Sequence, residues 1–318
     1  MKKFLKVLAI IFSVFVGFIL LFALYINFSS LPVYEVNPLP VQVSHDSLAV
    51  QQGRKIVETV CYTCHKGSDE RLSGAMISQP ESGLGEIWSA NITKHSTLGT
   101  GRYSDGELAH MLRTGINREG RYIGPFMLFP YISDEDLAAV IAYLRSDSPI
   151  TQPSEVSRPK PDYSFIAKAL FKLGAFKPLP APEQEILAPS ANDKMAYGKY
   201  LSTAVYACFE CHSKSFETND ILQPEQSEGY FAGGNPIEDR DFNIVYSANL
   251  TPSRESGIGN WTKEDFTVAI RQGLRPDSRL LNEMMPRFAL LSDEEIDAIW
   301  TYLRSLPAVE SEAIAGLQ

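Results

Sequence analysis

The sequence predicts an all-α chain, with an N-terminal transmembrane helix followed by two tandem helical domains of one kind. Three observations predict it. A long apolar run lies close to the first residue, the pattern C-x-x-C-H occurs twice, and residues 91–127 repeat at 249–285 without a gap. The length of 318 residues agrees with two domains, since about 150 residues per domain is usual.

The apolar run comes first. Lys2, Lys3 and Lys6 precede an uncharged stretch from Val7 to Tyr34, whose core VLAIIFSVFVGFILLFALYI occupies residues 7–26. At about 1.5 Å rise per residue such a helix covers a hydrocarbon core of roughly 30 Å. The lysines belong on the cytoplasmic side, which places everything after residue 30 outside the membrane. A cleaved signal peptide is the competing reading. Its apolar region spans only about 7–15 residues and ends in a small-x-small cleavage site, whereas this run is longer and Ala-Leu-Tyr-Ile-Asn-Phe offers no good site. We therefore read 1–30 as an uncleaved single-pass anchor in a bacterial plasma membrane, 31–48 as a tether, and the rest as periplasmic.

The four cysteines fall as Cys61-Tyr62-Thr63-Cys64-His65 and Cys208-Phe209-Glu210-Cys211-His212. This is the spacing of c-type haem attachment. Two thiols on one helical turn reach the two vinyl groups of one haem, and the next residue sets its imidazole beneath the iron. A four-thiolate zinc site gives no reason for a histidine after each pair. A thioredoxin-like redox pair would lie near a βαβ pattern, which is not seen. Two C-x-x-C loops would also be an odd disulfide framework. Two covalently bound haem c groups are expected.

The repeat supports this. At an offset of 158, Asn91/Asn249, Thr93/Thr251, Gly99/Gly257, Gly101/Gly259, Arg113/Arg271, Gly115/Gly273 and Met127/Met285 coincide. After one residue of slippage, SDEDLAAVIAYLRS (133–146) matches SDEEIDAIWTYLRS (292–305) at eight of fourteen positions. Such self-similarity means two copies of one structural unit. We bound them at 49–148 and 191–310, with a Pro-rich linker at 149–190 and a tail at 311–318.

Within each unit, Gly53 to Cys61 and Gly198 to Cys208 read as short amphipathic helices entering the attachment site. Ser133 and Ser292 are N-caps; Glu295 completes a capping box and Asp136 makes a weaker version. The helices that follow are apolar at helical spacing, through Leu137, Val140, Ile141, Leu144 and Ile296, Ile299, Trp300, Leu303. No stretch alternates enough to demand a sheet. In the linker, FIAKALFKLGAF (165–176) is amphipathic. It could lie on a membrane or cover a domain, and its two lysines favour covering a domain. Residues 213–247 lengthen the corresponding loop of the second unit.

The open axial position on each iron decides between electron transfer and catalysis. Met thioether stabilises ferrous iron and closes the site to small ligands. Met127 and Met285 are the candidates because the repeat sets them in register; Met284 is second to Met285, its partner being Phe126. His95 and His110 align with Ser253 and Val268, and His45 lies in the tether, so these three are read as structural or solvated. The net charge of −9 argues against a nucleic-acid partner, which requires a Lys/Arg surplus.

With these residues in hand, the chain resembles the class I cytochrome c family, specifically the tandem-haem, membrane-bound cytochrome subunits of alcohol, aldehyde and gluconate dehydrogenases. The resemblance rests on C-x-x-C-H, Gly-Tyr-Phe-Ala-Gly-Gly-Asn-Pro (229–236), Tyr-Ser-Ala-Asn-Leu-Thr-Pro (246–252), Gly-Ile-Gly-Asn-Trp-Thr (257–262), Met285-Pro286 and the final helix. It implies small helical globules whose first and last helices cross, with Gly53 and Gly198 allowing close approach to the helices bearing Tyr143 and Tyr302. It implies axial pairs His65/Met127 and His212/Met285. Two departures stand: the family's subunits usually carry three haems, and the first unit reads Met127-Leu128 in place of Met-Pro.

The expected function is single-electron transfer between a donor, a dehydrogenase or quinol-oxidising complex, and an acceptor such as a terminal oxidase. On this reading the chain is not an enzyme and has no catalytic residues. The alternative is a dihaem peroxidase-type enzyme with one open or labile iron.

Overall fold

In a computed structural model of the chain, residues 1–81, 83–239, 241 and 243–311 are described. Most of the predicted tail, residues 312–318, lies outside them. Helix α1 (Lys2–Phe28) is apolar along its length and exposes its side chains almost throughout. By length and composition it could cross a membrane. The tether then runs over unit one, where Tyr34 donates to the Gly120 carbonyl and Leu39 to that of Gly106.

Unit one is built on α2 (Ser47–Ile56), α3 (Tyr62–His65), α4 (Asp105–Thr114) and α5 (Asp134–Arg145). The linker carries α6 (Phe165–Lys172). Unit two repeats the plan with α7 (Lys194–Tyr200), α8 (Cys208–His212), α9 (Lys263–Gln272) and α10 (Asp293–Ser305). The entry helix crosses the closing helix in each unit, at Gly53 and at Gly198. A Cβ at Gly53 would run into the Ala139 carbonyl, and one at Gly198 into that of Ala298. The third helix starts from a capping box in both units, Ser104 with Glu107 and Thr262 with Asp265. It ends at a left-handed glycine, Gly115 (φ 77°) or Gly273 (φ 76°).

The all-helical expectation needs one correction. Strands β1 (Met76–Ser78) and β2 (Gly85–Trp88) pair antiparallel, and β2 also pairs with β3 (Asp162–Tyr163) from the linker. In unit two, β4 (Pro236–Glu238) pairs with β5 (Ile244–Tyr246). Strands this short carry too few residues for alternation to register in sequence. The linker wraps unit one: β3 adds to its sheet and Arg158 donates to the Ser73 carbonyl at 2.8 Å.

The two units share one core. Ile56, Leu137 and Ile141 of unit one join Leu201, Ile296 and Ile299 of unit two in a single buried cluster. Polar contacts across it follow a pseudo-twofold pattern. Lys55, two residues after Gly53, donates to both carboxylate oxygens of Glu295 at 3.0 and 3.1 Å. Tyr200, two residues after Gly198, donates to Asp136 at 2.5 Å. Asp136 and Glu295 are the equivalent third residues of α5 and α10.

This pairing explains why the weaker capping box behaves differently. Glu295 reaches back to the Ser292 amide at 2.7 Å and closes its box. Asp136, engaged by Tyr200 and Gln52, caps nothing behind it. Instead the Tyr200 hydroxyl accepts from the Ser133 amide at 2.8 Å and donates a hydrogen bond to Asp136, so unit two completes the cap of unit one. Tyr200→Phe leaves the Ser133 amide unpaired and Asp136 with Gln52 at 2.9 Å. It is expected to cost about 2 kcal/mol, the penalty for stranding buried polar groups, in equilibrium urea unfolding.

Candidate haem sites

Each attachment sequence is reached through a π-helical turn, Val57–Cys61 in unit one and Leu201–Val205 in unit two. Such single-turn bulges mark functional positions in helices. In unit two the chain then breaks at Ala207 (φ 46°), and α8 opens on Cys208 itself. Cys61 is buried and Cys208 half-buried, while Cys64 and Cys211 are open to solvent. Burial pushes the Cys61 and Cys208 thiols up to about 12.

His65 and His212 are both buried, and each holds the same partner. His65 Nδ1 lies 2.7 Å from the Ala90 carbonyl, and His212 Nδ1 lies 2.8 Å from that of Ala248. A carbonyl only accepts, so Nδ1 carries the proton and the Nε2 lone pair is left for a metal. An imidazole oriented through its other nitrogen is the usual second-shell arrangement of a metal-binding histidine. Burial lowers both pKa values below the ordinary histidine range, against the opposing effect of the carbonyl, and so favours the neutral ring.

The two carbonyls are held by the repeated Asn-Ile/Leu-Thr turn. Asn91 Oδ1 accepts from the Thr93 amide and hydroxyl at 3.0 and 2.6 Å; Asn249 Oδ1 accepts from those of Thr251 at 2.8 and 2.7 Å. The amide ends reach the chain beyond the closing helix: Asn91 donates to Ser154 and Val156 carbonyls, Asn249 to that of Val309. Sequence reasoning found the turn but not Ala90 or Ala248, whose contribution is a backbone oxygen with no side-chain signature.

Met127 and Met285 lie half-buried in the loops before α5 and α10, packed against the common core. The loops are pinned alike. Phe129 donates to the Leu112 carbonyl and Phe288 to that of Ile270, both at 2.8 Å. Arg113 donates to the carbonyls of Phe129, Pro130 and Ile132 and pairs with Asp134 at 2.5 Å. Arg271 donates to the Leu291 carbonyl at 2.7 Å and pairs with Asp293 at 2.8 Å. The units differ after the methionine. Arg287 donates to the Met285 and Leu281 carbonyls at 2.5 and 2.9 Å, whereas the equivalent Leu128 is buried beside Tyr122 and Phe171. Met284 is half-buried next to Met285, its amide donating to Asn282 Oδ1 at 2.9 Å.

His45 is exposed. His95 contacts Glu155 at 3.1 Å and accepts from the Leu98 amide at 3.0 Å, a structural role as expected. His110 is buried, and neither ring nitrogen has a hydrogen-bond partner among the described residues.

The two sites adjoin. Leu128 and Pro130, just after Met127, line a small cleft with Phe209 and Glu210 of the second attachment sequence.

Residues 50–148 match the family model described as Cytochrome c. The chain contains a cytochrome c domain. Such a domain implies covalently bound haem c, and the thiol pair on one turn followed by an Nε2-directed imidazole fits it. Over 284 residues the chain is 30% identical to the fructose dehydrogenase cytochrome subunit of Gluconobacter japonicus, covering 85% of this chain and 55% of that one. It is 29% identical to the alcohol dehydrogenase (quinone) cytochrome c subunit of Gluconacetobacter polyoxogenes, covering 83% and 57%. A diheme cytochrome c-type protein of Cereibacter sphaeroides is 23% identical over 79% of this chain and 83% of its own. The chain thus spans little more than half the length of the two dehydrogenase subunits.

Proposed function

We propose that this chain is a membrane-anchored dihaem electron carrier. Cys61 and Cys64 hold one haem c with His65 and Met127 as axial ligands; Cys208 and Cys211 hold a second with His212 and Met285. The bound groups supply one-electron redox chemistry, and the protein supplies position, potential and docking surface. A dehydrogenase is the proposed donor, since relatives are named as cytochrome subunits of fructose and alcohol dehydrogenases. A quinol-oxidising complex is a further candidate donor and a terminal oxidase the proposed acceptor. Anchoring by α1 would place both units on the outer, periplasmic side.

The observation that carries this reading is the duplicated histidine-to-carbonyl geometry, with Leu128 and Pro130 of unit one meeting Phe209 and Glu210 of the second attachment sequence beside one continuous core. Two sites so placed suit electron exchange within one chain. The test is haem content per chain together with oxidised absorption and EPR spectra. Two low-spin haems per chain with a Met–iron band are expected; one haem per chain overturns the two-site assignment. Met285→Ala is expected to lower one of the two potentials, by part of the roughly 0.8 V span that axial ligands command. An unchanged potential and spectrum would remove Met285 as a ligand.

A further inference from the structure

Helix α6 is locked to the end of α1. The Lys172 ammonium, in the last turn of α6, donates to the carbonyls of Tyr25, Ile26 and Ser29 at 3.0, 2.7 and 2.6 Å and reaches Ser29 Oγ at 2.8 Å. The last carbonyls of a helix have no intrahelical partner and carry the negative end of its dipole, so a cation is well placed there. Ile26 is fully buried at this junction.

Helix α6 has two apolar faces. One carries Ala167 and Phe171, both buried; Phe171 clusters with Tyr122 and Leu128 of unit one and packs on Tyr163 of the linker with ring centroids 4.9 Å apart. The other carries Phe165, Ile166 and Leu173, which are 42%, 60% and 65% exposed. A surface helix of a water-soluble domain places polar residues on its outer face. The charge is also reversed locally. The whole chain carries −9, yet residues 160–177 hold Lys160, Lys168, Lys172 and Lys177 against Asp162 alone.

We infer that α6 lies in the headgroup–acyl boundary of the membrane that α1 spans, with Phe165, Ile166 and Leu173 immersed and Lys168 and the flanking Lys160 and Lys177 among anionic headgroups. This rests on the proposed anchoring by α1. A spanning helix must surface at that boundary, and Lys172 fixes α6 to the point where α1 does so. The exposed apolar face of α6 therefore continues the lipid-facing surface of α1, and lipid is its occupant. Apolar face plus basic flank is the composition of an interfacial helix. Phe171 packs in one cluster with Leu128, so the Met127 loop of unit one is held towards the bilayer.

The test uses the full-length haem-loaded protein in phosphatidylcholine–phosphatidylglycerol vesicles. Nitroxide labels go singly at Ile166→Cys, Leu173→Cys, Phe15→Cys in α1 and Phe216→Cys on the exposed surface of unit two. Collision with oxygen is compared with collision with a water-soluble nickel chelate. The labels at 166 and 173 are expected to favour oxygen several-fold over the label at 216, with 15 deepest. A deep label at 15 with 166 and 173 as aqueous as 216 overturns the inference and leaves the anchor standing. Labels at 166 and 173 shielded from both reagents overturn it in favour of a protein cover. A label at 15 as aqueous as that at 216 removes the anchor and the inference together.

Discussion

Gly198→Val is expected to lower the stability of the second unit by about 3 kcal/mol or more, the upper range for overpacking a rigid contact. A Cβ there would overlap the Ala298 carbonyl and come within 3.0 Å of the Tyr302 Cβ. The obstacle is backbone of α10, held in its own helical hydrogen bonds, and it cannot turn aside as a side chain would. Helix propensity alone predicts the opposite sign, because glycine in a helix costs about 1 kcal/mol relative to alanine. The crossing therefore decides the outcome. Guanidinium unfolding followed by far-UV circular dichroism and the Soret band measures it. Because the buried cluster is continuous between units, unit one should lose stability in the same transition. Gly53→Val should behave alike, its Cβ meeting the Ala139 carbonyl and lying 2.9 Å from the Tyr143 Cβ. Wild-type stability in both variants would mean that the helices part without cost.

The role of these glycines came from the family resemblance, which implied a helix crossing that only a missing side chain permits. The C-x-x-C-H pairs and Ser292 with Glu295 were legible directly, because there side-chain chemistry at fixed spacing is the signal. What was not legible lies in the backbone or between the units. The Ala90 and Ala248 oxygens could belong to any residue, and only the following Asn-x-Thr turn hints that these carbonyls are held in place. Tyr200 reads as one more aromatic on an amphipathic helix, since its partners, Ser133 and Asp136, belong to the other unit. Helix α6 reads as a cover for a domain, which one face is; its other face becomes informative only once Lys172 is seen against α1. The short strands escape because two to four residues cannot display a period of two.

Arg113→Met is expected to lower stability by about 3 kcal/mol, with the Met127 loop released first. The Arg113 side chain is 1% exposed, and its guanidinium serves the carbonyls of Phe129, Pro130 and Ile132 as well as Asp134. Removing one partner from a buried charged contact typically costs about 3–5 kcal/mol; Asp134 is partly solvated, which argues for the lower end. The three carbonyls begin two residues after Met127, so the loss falls on the segment that positions it. Arg271→Met is expected to cost about half as much, because Asp293 is 84% exposed and the stranded oxygen is chiefly that of Leu291. Unit two also keeps Arg287, which laces Leu281 and Met285 from within the loop, where unit one has the packing of Leu128 at the equivalent position. If Met127 and Met285 ligate two haems as proposed, the Met–iron band of the first should therefore fade at lower denaturant in Arg113→Met, whereas in Arg271→Met that of the second should shift little. Equal losses in the two variants would mean that apolar packing holds the loops, with the guanidinium contacts contributing little.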